Sequence, residues 1–176
     1  YYGPAGVSFG RYFDNGMFFL TYTHAAVKTG DAQLWQTARN LSEYWGLGDI
    51  GKSPGKEVSV NGESTCTNLN VLLAVIDLYN HTRNSEYLVL ARGIGDNIKK
   101  GCFRNGYFVY RNAANGYSQF NDITCFALLS LHAAITGKQD AVPAYFGGEG
   151  YTVGGMLHNG EKYGGTEGIE FLLYIE

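Results

Sequence analysis

Three stretches of this chain share one grammar, about fifty-three residues apart, and that repeat restricts the fold more than any other feature. Each opens on a strongly apolar run: "MFFLTYTHAAV" (17–27), "NVLLAVIDLYN" (70–80) and "ITCFALLSLHAAI" (123–135). A short polar turn follows, "KTGD" to Asp31, "HTRNSE" to Glu86 and "TGKQD" to Asp140. In the first two units a second run comes next, "LWQTARNLSEYW" and "YLVLARGIGDNI". There Leu34, Ala38, Leu41 and Trp45, and then Leu88, Ala91, Ile94 and Ile98, recur at helical spacing. Thr29, Thr82 and Thr136 are equivalent turn residues, Gly48 matches Gly101, and Asn15 and Asn68 match Asp122.

That period is too long for a tetratricopeptide or ankyrin unit and suits large helical hairpins. The first helix of each pair is apolar nearly all round and is expected to be buried on both sides, whereas the second has one polar face and belongs outside. Alternating inner and outer helices imply an all-α fold, a toroid of hairpins or α/α barrel. The hairpins fall at roughly 13–48, 67–100 and 121–145 of a single segment spanning 1–176. Three hairpins do not close such a ring, and an open solenoid needs polar end faces. "MFFLTYTHAAV" is a poor one. The remainder of a longer protein, or a partner chain, is therefore expected to complete the barrel, and an opening on Tyr-Tyr rather than Met fits a preceding segment.

The returns from outer to inner helix, roughly 46–66 and 101–121, are the long connections, and long loops concentrate function. All are expected on one face, together with the inner-helix N-termini, whose unpaired N–H groups favour anions. Within the first return, "GLGDIG" (46–51) looks at first like a phosphate loop, but no helix N-terminus follows it directly. Gly46 and Gly48, and Gly101 one repeat later, instead stand where an outer helix must stop. Asp49 is expected to orient the loop rather than to bind metal.

On that face the sequence places Arg11, Tyr12, Lys52, Lys56, Arg104, Tyr107, Tyr110, Arg111 and Tyr117. Arginine clamps carboxylates with a planar fork, and tyrosine stacks on sugar rings or hydrogen-bonds to them. Arg11, Tyr12, Arg104, Tyr107 and Arg111 are the candidate substrate-binding residues; the alternative is an ordinary solvated loop. "RNGYFVYR" (104–111) carries a hairpin signal at Asn105-Gly106. A net charge of −3 argues against nucleic acid, and no apolar run is long enough to cross a membrane. An acidic chain with a cationic, aromatic cleft suits an acidic saccharide.

Capping accounts for Asn15, Asn68 and Asp122 without a ligand. His24, His81, His132 and His158 form no metal-binding pattern, and His24 and His132 read as satisfied core histidines. Cys125 reads as a buried thiol, and three cysteines without metal spacing leave the compartment open between a bacterial periplasm and cytoplasm. Asp14, Asp49, Glu57, Glu63 and Asp122 reach the long-loop face, yet no spacing singles out an acid and a base.

The run "TGDAQLWQTARNLSEYWGLGDIG" (29–51), with "YLVLARGIGDNI" (87–98), "FRNGYFV" (103–109), "ALLSLHAAITGK" (127–138) and "VPAYFGG" (142–148), resembles the later part of the family 2 pectate lyases, over roughly 11–150. The resemblance implies an α/α barrel that cleaves α-1,4-polygalacturonate by β-elimination. It also implies manganese or another divalent transition metal as cofactor, held by two histidines and a glutamate, with an arginine as base. In the family those residues lie earlier in the chain, so none is assigned here. Other readings are a different toroid enzyme, such as an unsaturated uronyl hydrolase or a sugar epimerase, and a non-catalytic helical-hairpin binding module. The tail "YGGTEGIEFLLYIE" (163–176) matches no part of the family pattern.

Overall fold

In a computed structural model, residues 15–104, 107–108, 123–142, 156–158 and 161–163 are described, the side chains of 104, 107–108, 156–158 and 161–163 excepted. The chain divides into two units, Tyr1–Phe103 and Arg104–Glu176. Helix accounts for most of the described residues, as expected of an all-α fold.

The first unit holds two complete hairpins. Helix α1 (Asn15–Thr29) leads into α2 (Ala32–Tyr44), and α3 (Leu69–Thr82) leads into α4 (Ser85–Cys102). α1 packs against α2 and α3, and α3 packs against α4, so α1 and α3 are the inner pair. The repeat is carried down to single hydrogen bonds. Thr29 Oγ1 donates to Ala25 O (2.8 Å) and Thr82 Oγ1 to Leu78 O (2.7 Å). Each threonine also accepts the N–H two residues on, of Asp31 or Asn84. Those two residues cap the outer helices: Asp31 Oδ1 accepts from Gln33 N and Leu34 N, and Asn84 Oδ1 from Glu86 N. The residue after each threonine is left-handed, Gly30 at φ 72° and Arg83 at φ 58°.

The core lies between the layers, with Phe19, Leu72, Leu78, Leu90 and Ile94 fully buried. Expectation and structure part at the inner helices. α3 buries Val71, Leu72, Ala74, Val75, Ile76 and Leu78 and fully exposes only His81, but α1 buries only Gly16, Phe19, Thr23 and Ala26 and leaves Met17 59% exposed. Within this unit α3 is the inner helix against which α1 packs, and the burial of α1 is one-sided.

In the second unit α5 (Ile123–Thr136) is the third apolar run, followed by a 3-10 turn, Gln139–Ala141. Thr136 Oγ1 donates to His132 O (2.9 Å) and Gly137 is left-handed (φ 69°), so the turn grammar returns a third time. α5 likewise leaves Leu129 and Ile135 exposed, against the expectation of two buried faces. Cys125 and His132 are exposed rather than buried. Strands β3 (Phe103–Arg104) and β4 (Tyr107–Phe108) pair around Asn105-Gly106, as that signal requires. Strands β5 (Met156–His158) and β6 (Glu161–Tyr163) pair antiparallel, with His158 opposite Glu161. Asn159-Gly160 between them is the same type of turn signal.

Candidate functional site

Trp45 caps α2, and Gly46 then turns left-handed (φ 64°). Gly46 N donates to Glu43 O and Leu47 N to Ser42 O, the paired bonds of a Schellman stop, with Leu47 fully buried behind it. The glycine-rich stretch is thus a helix terminator. Gly101 does not repeat the role: it lies inside α4, which runs to Cys102 and is capped by extended Phe103.

From Gly46 the chain does not project as a cleft loop. It turns back along α2, where Arg39 Nη2 meets both carboxylate oxygens of Asp49 (3.2 Å each) and Trp35 Nε1 donates to Gly51 O (2.9 Å). At its far end Asn84 Nδ2, on the cap of α4, donates to Gly55 O (3.2 Å). The chain then returns along α4, and Asn97 Nδ2 donates to Ser64 O (2.7 Å) and Cys66 O (3.2 Å). Asn84 and Asn97 are thirteen residues apart, about 20 Å of helix. Strands β1 (Gly48–Asp49) and β2 (Ser59–Val60) pair antiparallel, so residues 46–66 form a two-armed strap along the outer helices.

One tyrosine anchors this strap. Tyr87 is fully buried; its hydroxyl donates to Ile50 O (2.7 Å) and accepts from Gly55 N (3.0 Å). Burial raises its pKa to about 12, the Gly55 N–H opposes the shift and Asp49 adds to it. Sequence reasoning missed this residue, whose partners lie 32 and 37 positions away.

The strap corrects the placement of several candidates. Its tip lies at the α3–α4 turn, so the long returns do not all occupy one end of the hairpins. Burial of Leu47 and Ile50 draws the strap down onto the helices. Lys52 is paired with Glu57 (2.6 Å) on the strap, which also carries Lys56. Asp49 orients the loop, as expected, accepting from Gly51 N (2.8 Å) as well as from Arg39. Asn68 caps α3, its Oδ1 accepting from Asn70 N and Val71 N. Asn15 is the first residue inside α1 rather than its cap.

Of the five nominated substrate-binding residues, Arg104 stands in β3 and Tyr107 in β4, the two strands that pair with each other. Arg11, Tyr12 and Arg111 lie outside the described residues, as do Asp14, Tyr110, Tyr117 and Asp122. His24 is satisfied but is not a core histidine: its Nδ1 lies 2.9 Å from Asp77 Oδ2, with side chains 54% and 39% exposed. Among the described residues no three His, Cys, Asp or Glu side chains converge as metal ligands, so these residues do not fit a divalent-metal centre. A cavity of about 340 Å³ lies between α2 and the start of the strap, lined by Arg39, Glu43, Asp49 and Asn61 among others. No helix among the described residues is long and apolar enough to cross a membrane. A family model described as periplasmic pectate lyase matches residues 1–155.

Proposed function

Since the chain belongs to this periplasmic pectate lyase family, we propose that it is a segment of a polysaccharide lyase that cleaves α-1,4-polygalacturonate by β-elimination. The family match over most of the chain carries this reading, and the repeated hairpins, with α1 and α3 inside and α2 and α4 outside, support it. In such a reaction a base removes the C5 proton, which the adjacent carboxylate acidifies. The bond between C4 of the same ring and the glycosidic oxygen then breaks, the oxygen departs on C1 of the neighbouring sugar and takes up a proton, and a C4–C5 double bond remains. A field of positive charge stabilises the negative charge that develops.

In this proposal the hairpins are part of the wall of an α/α barrel, completed by the remainder of the same protein or by a partner chain. Arg11, Arg104 and Arg111 bind uronate carboxylates, and Tyr12 and Tyr107 bind sugar rings. Manganese, or another divalent transition metal, is the cofactor that the family resemblance brings, with ligands other than the described residues. The family description, periplasmic pectate lyase, supports a periplasmic location for the reaction.

The test is incubation of the whole protein with polygalacturonate, with manganese or with a chelator, following the ultraviolet absorbance of the unsaturated product. A manganese-dependent rise supports the lyase reading. A rise that the chelator leaves intact removes the metal, and a protein that neither binds nor cleaves galacturonan refutes the proposal.

A further inference from the structure

The inner helices are apolar where they pack, yet each carries a polar stripe. On α1 the stripe runs through Thr21, His24 and Lys28, all exposed, and on the helical wheel it lies opposite the buried arc of Phe19, Thr23 and Ala26. Fifty-three residues after His24 and Lys28 stand Asp77 and His81, on the corresponding stripe of α3. The 2.9 Å contact between His24 Nδ1 and Asp77 Oδ2 joins the two stripes across the seam between the inner helices. Positions that the repeat makes equivalent therefore meet as one exposed row on the side turned away from the packed core.

Packing does not account for that row. An exposed ion pair adds little to stability, and α1 is already joined to α3 by apolar residues. The pair also leaves chemistry open. In the tautomer whose Nδ1–H is donated to Asp77, the ring presents Nε2 as an acceptor, and Asp77 Oδ1 is a second acceptor beside it. Neither atom has a hydrogen-bond partner within the protein among the described residues. Vicinal hydroxyls of a sugar satisfy two adjacent acceptors. Four residues on, about 6 Å along each helix, Lys28 and His81 supply donors for a carboxylate.

We propose that His24 and Asp77 bind the hydroxyls, and Lys28 and His81 the carboxylate, of one uronate residue of the polymer. The substrate class rests on the lyase reading above; the location of the subsite rests on the His24–Asp77 row. The test is calorimetric titration of the full chain with tetragalacturonate and with its methyl ester. His24→Ala and Asp77→Asn should each weaken binding of both ligands roughly tenfold, as loss of a hydrogen bond to a charged or aligned partner does. Lys28→Met should weaken the acid by a similar factor and leave the ester unchanged, a difference that a merely structural role would not produce. His24→Gln keeps a hydrogen-bonding side chain and serves if the alanine variant unfolds. Variants that bind both ligands as the wild type does overturn this subsite alone. Failure of the wild-type protein to bind either ligand overturns the uronan reading and the subsite with it.

Discussion

Replacing Gly16 by alanine should destabilise the first unit by about 1–3 kcal/mol, although alanine is the better helix former by about 1 kcal/mol. The reason is local. A β-carbon at Gly16 would overlap the end of the Asn68 side chain and would lie only 2.8 Å from its Nδ2. Asn68 has little freedom to withdraw, because its Oδ1 holds the amides of Asn70 and Val71 at the start of α3. Displacing it gives up a cap of about 1 kcal/mol, and resisting displacement strains a close helix crossing. Asn68→Ala alone should therefore cost about 1 kcal/mol. In the double variant the added methyl meets an emptied space, so it should be no less stable than Asn68→Ala, a coupling of at least about 1 kcal/mol. Both tryptophans, Trp35 and Trp45, belong to the first unit, so fluorescence-detected urea unfolding of the full chain reports on it. Equal stability of Gly16→Ala and wild type, or strictly additive losses, would refute the close approach on which this reasoning stands.

Tyr87→Phe should cost about 1–3 kcal/mol by leaving Ile50 O and Gly55 N without their partner. Tyr87 also sets a pH dependence, since its folded pKa of about 12 exceeds the ordinary tyrosine value of 10.0. The protonated phenol is favoured by folding, so its contribution is complete below pH 10 and is lost as pH rises to about 12. That loss is on the order of 3 kcal/mol, and a wild-type urea midpoint no steeper in pH than that of Tyr87→Phe would contradict it. Arg83 occupies the left-handed position that Gly30 and Gly137 fill in the sister turns, so Arg83→Gly should stabilise by about 0.5–1 kcal/mol; a lower unfolding midpoint would count against it. Arg104→Ala and Arg111→Ala should weaken oligogalacturonate binding with helix content unchanged by circular dichroism, and unaltered affinity in both would remove that segment from the cleft.

The helices were legible because their determinants are local. The apolar period, the Asp31 cap and the glycine after Thr29 or Thr136 each act within a few residues, and the repeat shows each signal more than once. The stop at Gly46 and the pairing around Asn105-Gly106 follow for the same reason. Gly101 misled, because in the first hairpin a buried leucine follows Gly46 and leads the chain into the strap, whereas α4 continues through Gly101.

By itself, then, the sequence determined the helical hairpins, their order and the family resemblance, since periodicity, capping and motif order are all written along the chain. Only the tertiary structure decided the path of residues 46–66. Nothing adjacent in sequence told Leu47 and Ile50 to bury against the outer helices, or Tyr87 to hold carbonyl and amide groups more than thirty positions away. It also decided that His24 is no core residue. A histidine in an apolar helix gives no sign of which side is covered, and that depends on how many inner neighbours pack around α1. The His24–Asp77 contact spans one full repeat, and it exists because stacking α3 on α1 brings equivalent turns of the two helices side by side.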